Sequence, residues 1–443
     1  MPDHATKSPT QIAADRTRAP LGTASAPTPS PIGLASDAAP HAFTFLNSFC
    51  TTILTTAIFF LTKSAYGFTQ TLNLALAVLL GVTYIVGARF AGAITRRLLR
   101  TFPALSSRGI LALLLLALAL LCATPLVIVR VWPDTGSWPI WVVIGLYSPL
   151  TGILWPLVES FIAGGKRGDR LVRSVGLWNV NWSSAGAIAS IAVAPLIANY
   201  PLESMVLLGG IHLLSGLCLP FFPAHPAPHA DGPHDPHPAH YTALLVTFRM
   251  LLPAAYVASS TLMPLLPNLT ESFNVVPVLS TLITAIYLAT RSFTFLGFQF
   301  FRGWHGRWWP AIVCPALLIV GFGLVVFASR IGGNLGSGAG WFALVGGLVG
   351  FGVGMAGIYS GALYYALEVG NAQVDAGGAH ETLIGVGYTI GPAMGLGVAL
   401  AIDRGRLKPT SFEPWVLSAV AVVVVAVVLM VAVRVRQQTR SPR

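Results

Sequence analysis

Apolar residues run along this chain in long uninterrupted stretches, not in the short periodic stripes of a soluble domain. Gly109 to Val129 is 21 residues without a charge, and Thr135 to Val158 is 24. A helix rises about 1.5 Å per residue, so about 20 residues cross a bilayer core. Because lipid offers the backbone no hydrogen bonds and these stretches do not alternate apolar and polar positions, they predict membrane-spanning helices.

The pattern predicts twelve such spans. The seventh and eighth are the least regular, because Arg249 and Arg291 interrupt them. In residue numbers the predicted spans are 43–62, 67–90, 109–130, 138–162, 174–197, 203–222, 243–265, 277–299, 309–328, 340–367, 381–402 and 414–433.

The composition supports a membrane protein. Of the 443 residues, 54% are hydrophobic and only 9% are charged, whereas a soluble domain has about 25% charged residues. So few charges cannot cover a surface that faces water, so most of the surface must face lipid.

The basic residues predict the orientation. With the N-terminus in the cytoplasm, eighteen lysines and arginines fall on the inner side and six on the outer side, as the positive-inside rule requires. We therefore expect a multi-pass protein of the cytoplasmic membrane with both termini inside. The formal charge of +11 then sets topology and meets anionic lipid, so no nucleic-acid partner is expected.

Two tails and a linker divide the chain. Residues 1–41 are rich in Ala, Pro, Ser and Thr without the apolar core of a signal peptide, which predicts a disordered cytoplasmic tail. Residues 434–443 predict a basic cytoplasmic tail. Residues 223–240, PAHPAPHADGPHDPHPAH, form a cytoplasmic linker between six-helix bundles at 42–222 and 241–433. Weak metal binding by its histidines is the less favoured alternative, because a floppy segment fixes no coordination geometry.

The two halves repeat. GILWPLVES at 152–160 aligns with GALYYALEV at 361–369, which matches Glu159 with Glu368 at an offset of 209. Gly176 aligns with Gly385 at the same offset, and Arg97 aligns with Arg307 at 210. Parallel six-span halves are a known transporter design.

At this point the chain resembles the major facilitator superfamily. Its GARFAGAITRRLLR, from Gly87, is similar to that family's loop between spans two and three, although Ala91 replaces the aspartate. GFQFFRGWHGRWW, from Gly297, is the second-half version. ESFIAGGKRG resembles the spacing from glutamate to Arg-Gly that follows span four in sugar porters. GYTIGPAMGLG resembles the glycine-proline motif of antiporters, but that motif normally lies in span five and here lies in span eleven. The resemblance implies an all-α fold of twelve transmembrane helices in two pseudo-symmetric six-helix bundles.

The resemblance also implies a cytoplasmic gate of salt bridges between acidic span ends and loop arginines. Glu159 lies seven residues before Lys166, about 10 Å along the helix. In an outward-facing state we expect Glu159 to meet Arg97, and Glu368 to meet Arg302 or Arg307. The alternatives are carboxylates that face headgroup water, or a substrate or proton role.

Arg291 is the deepest charge that the sequence places, about 5 Å inward of the midplane. A charge there costs at least about 2.5–3.5 kcal/mol, so it should face a polar cavity and have a partner. In the family, spans five and eight meet, and span five offers Trp178, Asn179, Asn181 and Trp182. Two indoles with an amide suit a flat or sugar-like solute, and Arg291 suits an anionic group. The alternative is ordinary packing, with Arg291 bonded to backbone carbonyls. Tyr147 and Tyr364 are weaker cavity candidates.

These features predict a secondary transporter that moves a small solute by alternating access, with a sugar-like compound or an organic anion favoured. Drug or metabolite efflux by proton antiport and a non-transporting membrane sensor are the alternatives. Protons are a candidate coupling ion. An enzyme is not expected, because the spans show no HExxH and no paired carboxylates. We expect a monomer in lipid, with no cofactor and no metal.

Overall fold

Helices make up nearly all of the computed structural model, which describes residues 32–166, 168–228, 238, 240–369 and 374–440. No strand occurs in these residues. The α-helices are α1 (Ile32–Thr52), α2 (Ile58–Tyr66), α3 (Gln70–Thr101), α4 (Ser107–Val131), α5 (Trp138–Ala163), α6 (Gly168–Ala192), α7 (Ala194–Asn199), α8 (Pro201–Ser215), α9 (His240–Leu262), α10 (Leu266–Glu271), α11 (Pro277–Phe300), α12 (Trp309–Leu335), α13 (Ser337–Val369), α14 (Val374–Asp403) and α15 (Phe412–Arg440).

Within the described part of the chain, eleven helical segments are long and apolar enough to cross a membrane. The remaining predicted span, the fifth at 174–197, corresponds to α6, a 25-residue helix that packs between α1 and α11. It lacks the apolar character of the others because WNVNWSS occupies its middle. The predicted all-helical membrane fold is confirmed.

The helix ends differ from the predicted boundaries. α1 begins at Ile32, inside the segment predicted as a tail, and α15 continues to Arg440 through most of the predicted basic tail. Hydropathy marks the segment that lipid buries, whereas helical hydrogen bonds continue into polar sequence beyond it. The rest of the tail, 1–31, and residues 229–237 and 239 of the predicted linker lie outside the described residues.

Each half opens with a broken crossing. A π-helical turn, Ile53–Ala57, joins α1 to α2, and a 3₁₀ turn, Met263–Leu265, joins α9 to α10. When the repeat offset of 209 residues is added to the numbers of the first turn, the resulting range includes the second turn. The repeat therefore includes a break in the helix at matching positions of the two halves, which the sequence of neither segment predicts.

The crossings define two faces. We call the side where α1 begins and α15 ends the terminal face, and the other side the distal face. The terminal face carries the loops after α3, α5 and α11, and the distal face carries the loop after α2 and the loop after α14.

Two helix pairs join the halves. α3 packs along α14, and α6 packs along α11; we call these the α3–α14 seam and the α6–α11 seam. At the first seam the backbones touch. A Cβ added at Gly81 would lie 2.5 Å from the Tyr388 carbonyl carbon, and one at Gly378 would lie 2.7 Å from the Ala88 carbonyl oxygen.

Candidate functional site: a closed cavity between the halves

A cavity of about 120 Å³ lies between the halves and is lined by residues from both. The broken first crossing contributes a row of hydroxyl groups, and the broken seventh crossing contributes two more beside Met263. These are Ser48, Thr51, Thr52, Thr55, Thr56, Ser259 and Ser260.

Arg291 forms one end of this cavity. The side chain is 5% exposed, and its Nε donates to Ser183 Oγ at 3.0 Å across the α6–α11 seam. Its guanidinium lies 4.4 Å from the centre of the Trp182 ring and 5.6 Å from that of Tyr287. Among the described residues no carboxylate forms an ion pair with it. The site thus holds a cation that lacks an anion.

The WNVNW segment divides between the cavity and its support. Trp178 and Trp182 line the cavity, and the Trp182 indole donates to Asn179 Oδ1 at 3.1 Å, which fixes the ring. Asn181 faces away and donates to the His41 carbonyl at 2.6 Å. The structure therefore brings three of the predicted residues, Arg291 included, to the cavity wall.

A pair of carboxyl groups lies on the opposite side. Glu381 on α14 lines the cavity and is 5% exposed. Tyr84 of α3 donates to its Oε2 at 2.5 Å, and the Glu159 carboxyl of α5 is its neighbour. Gly377 leaves the room for this contact, since a Cβ there would lie 2.5 Å from Glu159 Oε2. The expectation that the spans hold no paired carboxylates is wrong, because α5 and α14 cross far from each other in sequence.

The predicted gate is only partly visible. Glu159 faces Glu381, and no described contact joins it to Arg97, which is exposed on α3. Arg302 instead lies 3.8 Å from Asp169 of the other half. Arg307 is exposed, and the side chain of Glu368 lies outside the described part. Because the Glu159 side chain points toward α14 on the inner side of α5, it cannot reach the exposed Arg97.

Tyr147 and Tyr364 lie elsewhere. Tyr147 is fully buried inside the first half, where its hydroxyl bonds His212 Nε2 at 2.8 Å, and His212 Nδ1 bonds Asn47 Oδ1 at 2.8 Å. Tyr364 stacks on His305 with ring centroids 4.2 Å apart. Neither lines the central cavity, because each ring is held by a partner within its own half.

Tyr364 and His305 line a second cavity of about 540 Å³ at the terminal face, between α6, α11 and α13, which we call the vestibule. Burial lowers the pKa of His305 below 6.5, and so does the neighbouring Arg302, against the opposing effect of Asp169. Trp182, Phe295 and Tyr359 contact one another at 5.3–5.7 Å. These three rings stand between the vestibule and the central cavity.

Polar contacts between the halves close the distal side. Lys63 donates to Glu271 Oε2 at 2.5 Å and to Asn268 Oδ1 at 2.6 Å. Thr71 donates to Asp403 Oδ2 at 2.9 Å. Sequence reasoning missed these residues because charges at span ends look like ordinary interfacial residues. Contacts between the halves thus lie on both sides of the cavity.

The predicted linker histidines form no metal site that the structure shows. His225 bonds Ser107 Oγ at 3.0 Å, and His229, His234 and His237 lie outside the described residues. Among the described side chains, no three metal-ligating groups converge.

The fold and the cavity define a class: a multi-pass helical membrane protein in which two six-crossing halves enclose a central site. No family model and no curated protein matches the chain. Solved structures do. A mutant form of the nucleoside transporter NupG superimposes with a TM-score of 0.63 at 13% identity, over 89% of this chain and 99% of its own. NupG without the mutation gives a TM-score of 0.59 at 13% identity, over 90% of this chain and 98% of its own. The human organic anion transporter MFSD10 (TETRAN) gives 0.53 at 13% identity over 89% of this chain and 99% of its own. The chain therefore shares the fold of these solved structures, which is the fold that the resemblance in its sequence implied.

Proposed function

We propose that this protein is a secondary active transporter that moves a small solute across the cytoplasmic membrane by alternating access. The observation that carries the proposal is a central cavity lined by both halves, with contacts between the same two halves on either side of it. Rocking of the halves would break the distal contacts or the terminal contacts in turn, and the cavity would then open to one face at a time.

The terminal face is the cytoplasmic one in this proposal. The end of α3, the beginning of α6 and the end of α15 lie there and are rich in arginine, as the positive-inside rule requires. The cavity is complete within one chain, which supports a monomer as the working unit.

The solute that fits best is a small flat organic anion. Arg291 is buried and forms no ion pair with a carboxylate of the described residues, and a buried charge is costly unless something pairs with it. The Trp182 ring beside it offers a flat apolar surface, and the hydroxyl row can bond the rest of a solute. The closed volume of about 120 Å³ is below the roughly 300–1,000 Å³ of pockets that hold drug-sized ligands, which favours a small compound.

The test is counterflow exchange in proteoliposomes with three radiolabelled probes: benzoate as a flat anion, uridine as a neutral nucleoside, and glucose as a neutral sugar. We expect benzoate exchange that Arg291→Ala abolishes. Arg291→Lys should retain only part of it, because lysine keeps the charge but not the planar stack on Trp182. Arg130→Ala, an exposed arginine of the distal face, is the matched control.

Exchange of uridine or glucose that is indifferent to Arg291→Ala would assign the cavity to a neutral solute. If the folded protein exchanges none of the three probes but its halves still open and close, the result favours a non-transporting membrane sensor over a transporter of such solutes.

A proton-linked mode is the second candidate, and the Glu159–Glu381 contact favours it. Antiport and symport both need a group that gains and loses a proton as the cavity changes sides.

A further inference from the structure

Glu159 and Glu381 bring two carboxyl groups together, because the Glu159 carboxyl lies against Gly377, about one turn before Glu381 on α14. An ionised carboxylate is an acceptor only, so two of them cannot hydrogen-bond each other. Tyr84 has a single hydroxyl proton, and that proton is already donated to Glu381 Oε2. A hydrogen bond between the two carboxyl groups therefore requires a proton on one of them.

No described side chain around the two carboxyl groups forms an ion pair with either of them. α3 contributes Tyr84, α9 contributes Tyr256, α13 contributes Tyr359 and α14 contributes Tyr388, all of them uncharged rings. α15 packs on α14 with the buried valines Val416, Val420 and Val424.

The nearby basic groups are directed elsewhere. His380 precedes Glu381, but its ring packs on Tyr359, and its buried Nε2 has no hydrogen-bond partner in the described part. Arg249 of α9 is exposed, and Arg291 is bonded to Ser183. None of them forms an ion pair with either carboxyl group in the described structure. Two ionised carboxylates side by side at this largely buried position would repel each other.

The pair also joins the two halves. Glu159 belongs to the first half and Glu381 to the second, and both lie on the terminal-face side of the cavity, near the end of α5 and the beginning of α14. Glu159 Oε1 is buried and has no hydrogen-bond partner of its own among the described residues. When the terminal face opens, the two carboxyl groups must part and meet water.

We propose that Glu159 and Glu381 bind one proton between them, and that this proton ties the halves together at the terminal face. Loss of the proton to water leaves two carboxylates in contact, which drives the terminal face open. Binding of a proton restores the hydrogen bond and closes it. This proposal rests on the alternating-access function argued above and adds the proton as a ligand of the transport cycle.

The experiment needs no solute. Spin labels at Thr101→Cys and Phe301→Cys, exposed ends of α3 and α11 on the terminal face, report the distance between the halves by double electron–electron resonance. The four native cysteines are first replaced by alanine or serine. In nanodiscs titrated from about pH 5 to about pH 9, we expect the short distance to dominate at low pH and a longer one to grow as pH rises. One linked proton allows at most a tenfold change in the closed-to-open ratio per pH unit.

Glu159→Gln separates this mechanism from a general effect of pH. A glutamine amide donates to the Glu381 carboxylate without any proton, so the closed distance should persist across the whole range. Glu381→Gln should behave in the same way. Glu203→Gln removes an exposed carboxylate that pairs with Arg130 on the distal face and should leave the pH response unchanged.

Infrared spectroscopy gives a second readout. Wild-type protein should show the C=O stretch of a protonated carboxylic acid at a pH where exposed carboxylates are ionised, and Glu159→Gln should lose it. A wild-type distance that ignores pH, or a Glu159→Gln protein with the wild-type response, overturns the proposal. If the response is absent while benzoate still exchanges, the proton site fails and the transporter stands; if the response is present without exchange, the solute assignment fails.

Discussion

The two seams between the halves do equivalent work with different chemistry. At the α3–α14 seam, backbone lies against backbone at Gly81, and the nearby polar contact is acidic. At the α6–α11 seam, side chains fill the space, and the polar contact is the cation Arg291 on Ser183. A Cβ at Gly176 would meet only the end of the flexible Gln299 side chain.

The repeated glycines connect these two seams. Gly176 and its repeat partner Gly385 face the opposite half, Gly176 toward Gln299 of α11 and Gly385 toward Ile85 of α3. The repeat therefore preserves the helix pairing, while the charges at the two seams have diverged. One seam carries a group suited to a proton, and the other carries a group suited to an anion.

The largest expected effect tests the stiffness of the α3–α14 seam. Gly81→Val would drive its side chain into the Tyr388 backbone, which cannot move aside. Overpacking typically costs about 1–3 kcal/mol and sometimes more, so we expect a marked fall in melting temperature and loss of the short terminal-face distance. Gly176→Val should be far milder, because Gln299 can swing away. Equal losses in both variants would remove the distinction between a rigid seam and a soft one.

Next in size is the removal of the cation at the other seam. Arg291→Met should lower benzoate exchange by about two orders of magnitude, as loss of a buried charge-assisted contact does. The same variant should melt at a higher temperature, because replacement of a buried unpaired charge by an apolar group often stabilises a fold. Exchange and thermal melting are measured on the same preparation. A variant that is both inactive and less stable would show that Arg291 holds the fold together instead.

The sequence predicted the cationic residue at the α6–α11 seam but not the pair of carboxyl groups near the α3–α14 seam, and the reason is physical. An arginine inside an apolar run is visible by its cost alone. Two indoles four residues apart share one helical face of another span, the one expected to meet it. Trp178, Trp182 and Arg291 could therefore be placed at the cavity without coordinates. Glu159 and Glu381 lie on spans four and eleven, and only the crossing of α5 over α14 brings them together.

The fold was predictable for a similar reason, and the helix ends were not. Long apolar stretches and the offset of 209 residues determine the number and order of spans. The extension of α1 back to Ile32 depends on hydrogen bonds among polar residues, which hydropathy does not record. The distal contacts of Lys63 likewise depend on which span ends meet.

The distal contacts provide a smaller effect. Glu271→Gln weakens an exposed ion pair with Lys63, and exposed pairs typically contribute about 0.2–1 kcal/mol. Spin labels at Ser64→Cys and Ser272→Cys should show a modest growth of the open distal population, with the terminal-face distance little changed. Glu203→Gln breaks a pair on the same face but within one half. If it opens the distal side as much as Glu271→Gln does, the cross-half pairing is not what closes it.

The smallest effect concerns His305 in the vestibule. Its pKa in the folded protein is lowered below 6.5, so the fold favours the neutral ring that stacks on Tyr364. This stabilisation is present above pH 6.5 and is lost as the pH falls through the lowered value. Below that pH, wild type should lose about 1 °C of melting temperature relative to His305→Gln. His240→Gln, on the same face, is the control and should not reproduce the difference.

The polarity of α6 has a consequence for how the chain enters the membrane. Each of the other crossings carries a stretch that can partition into lipid alone, whereas the WNVNWSS segment and the arginines of α6 oppose insertion. This helix should therefore leave the translocon only with a companion that shields its polar side, and α1 and α11 are the helices it packs on. Since α11 is made more than a hundred residues later, biogenesis of the first half is complete only after much of the second half has been synthesised.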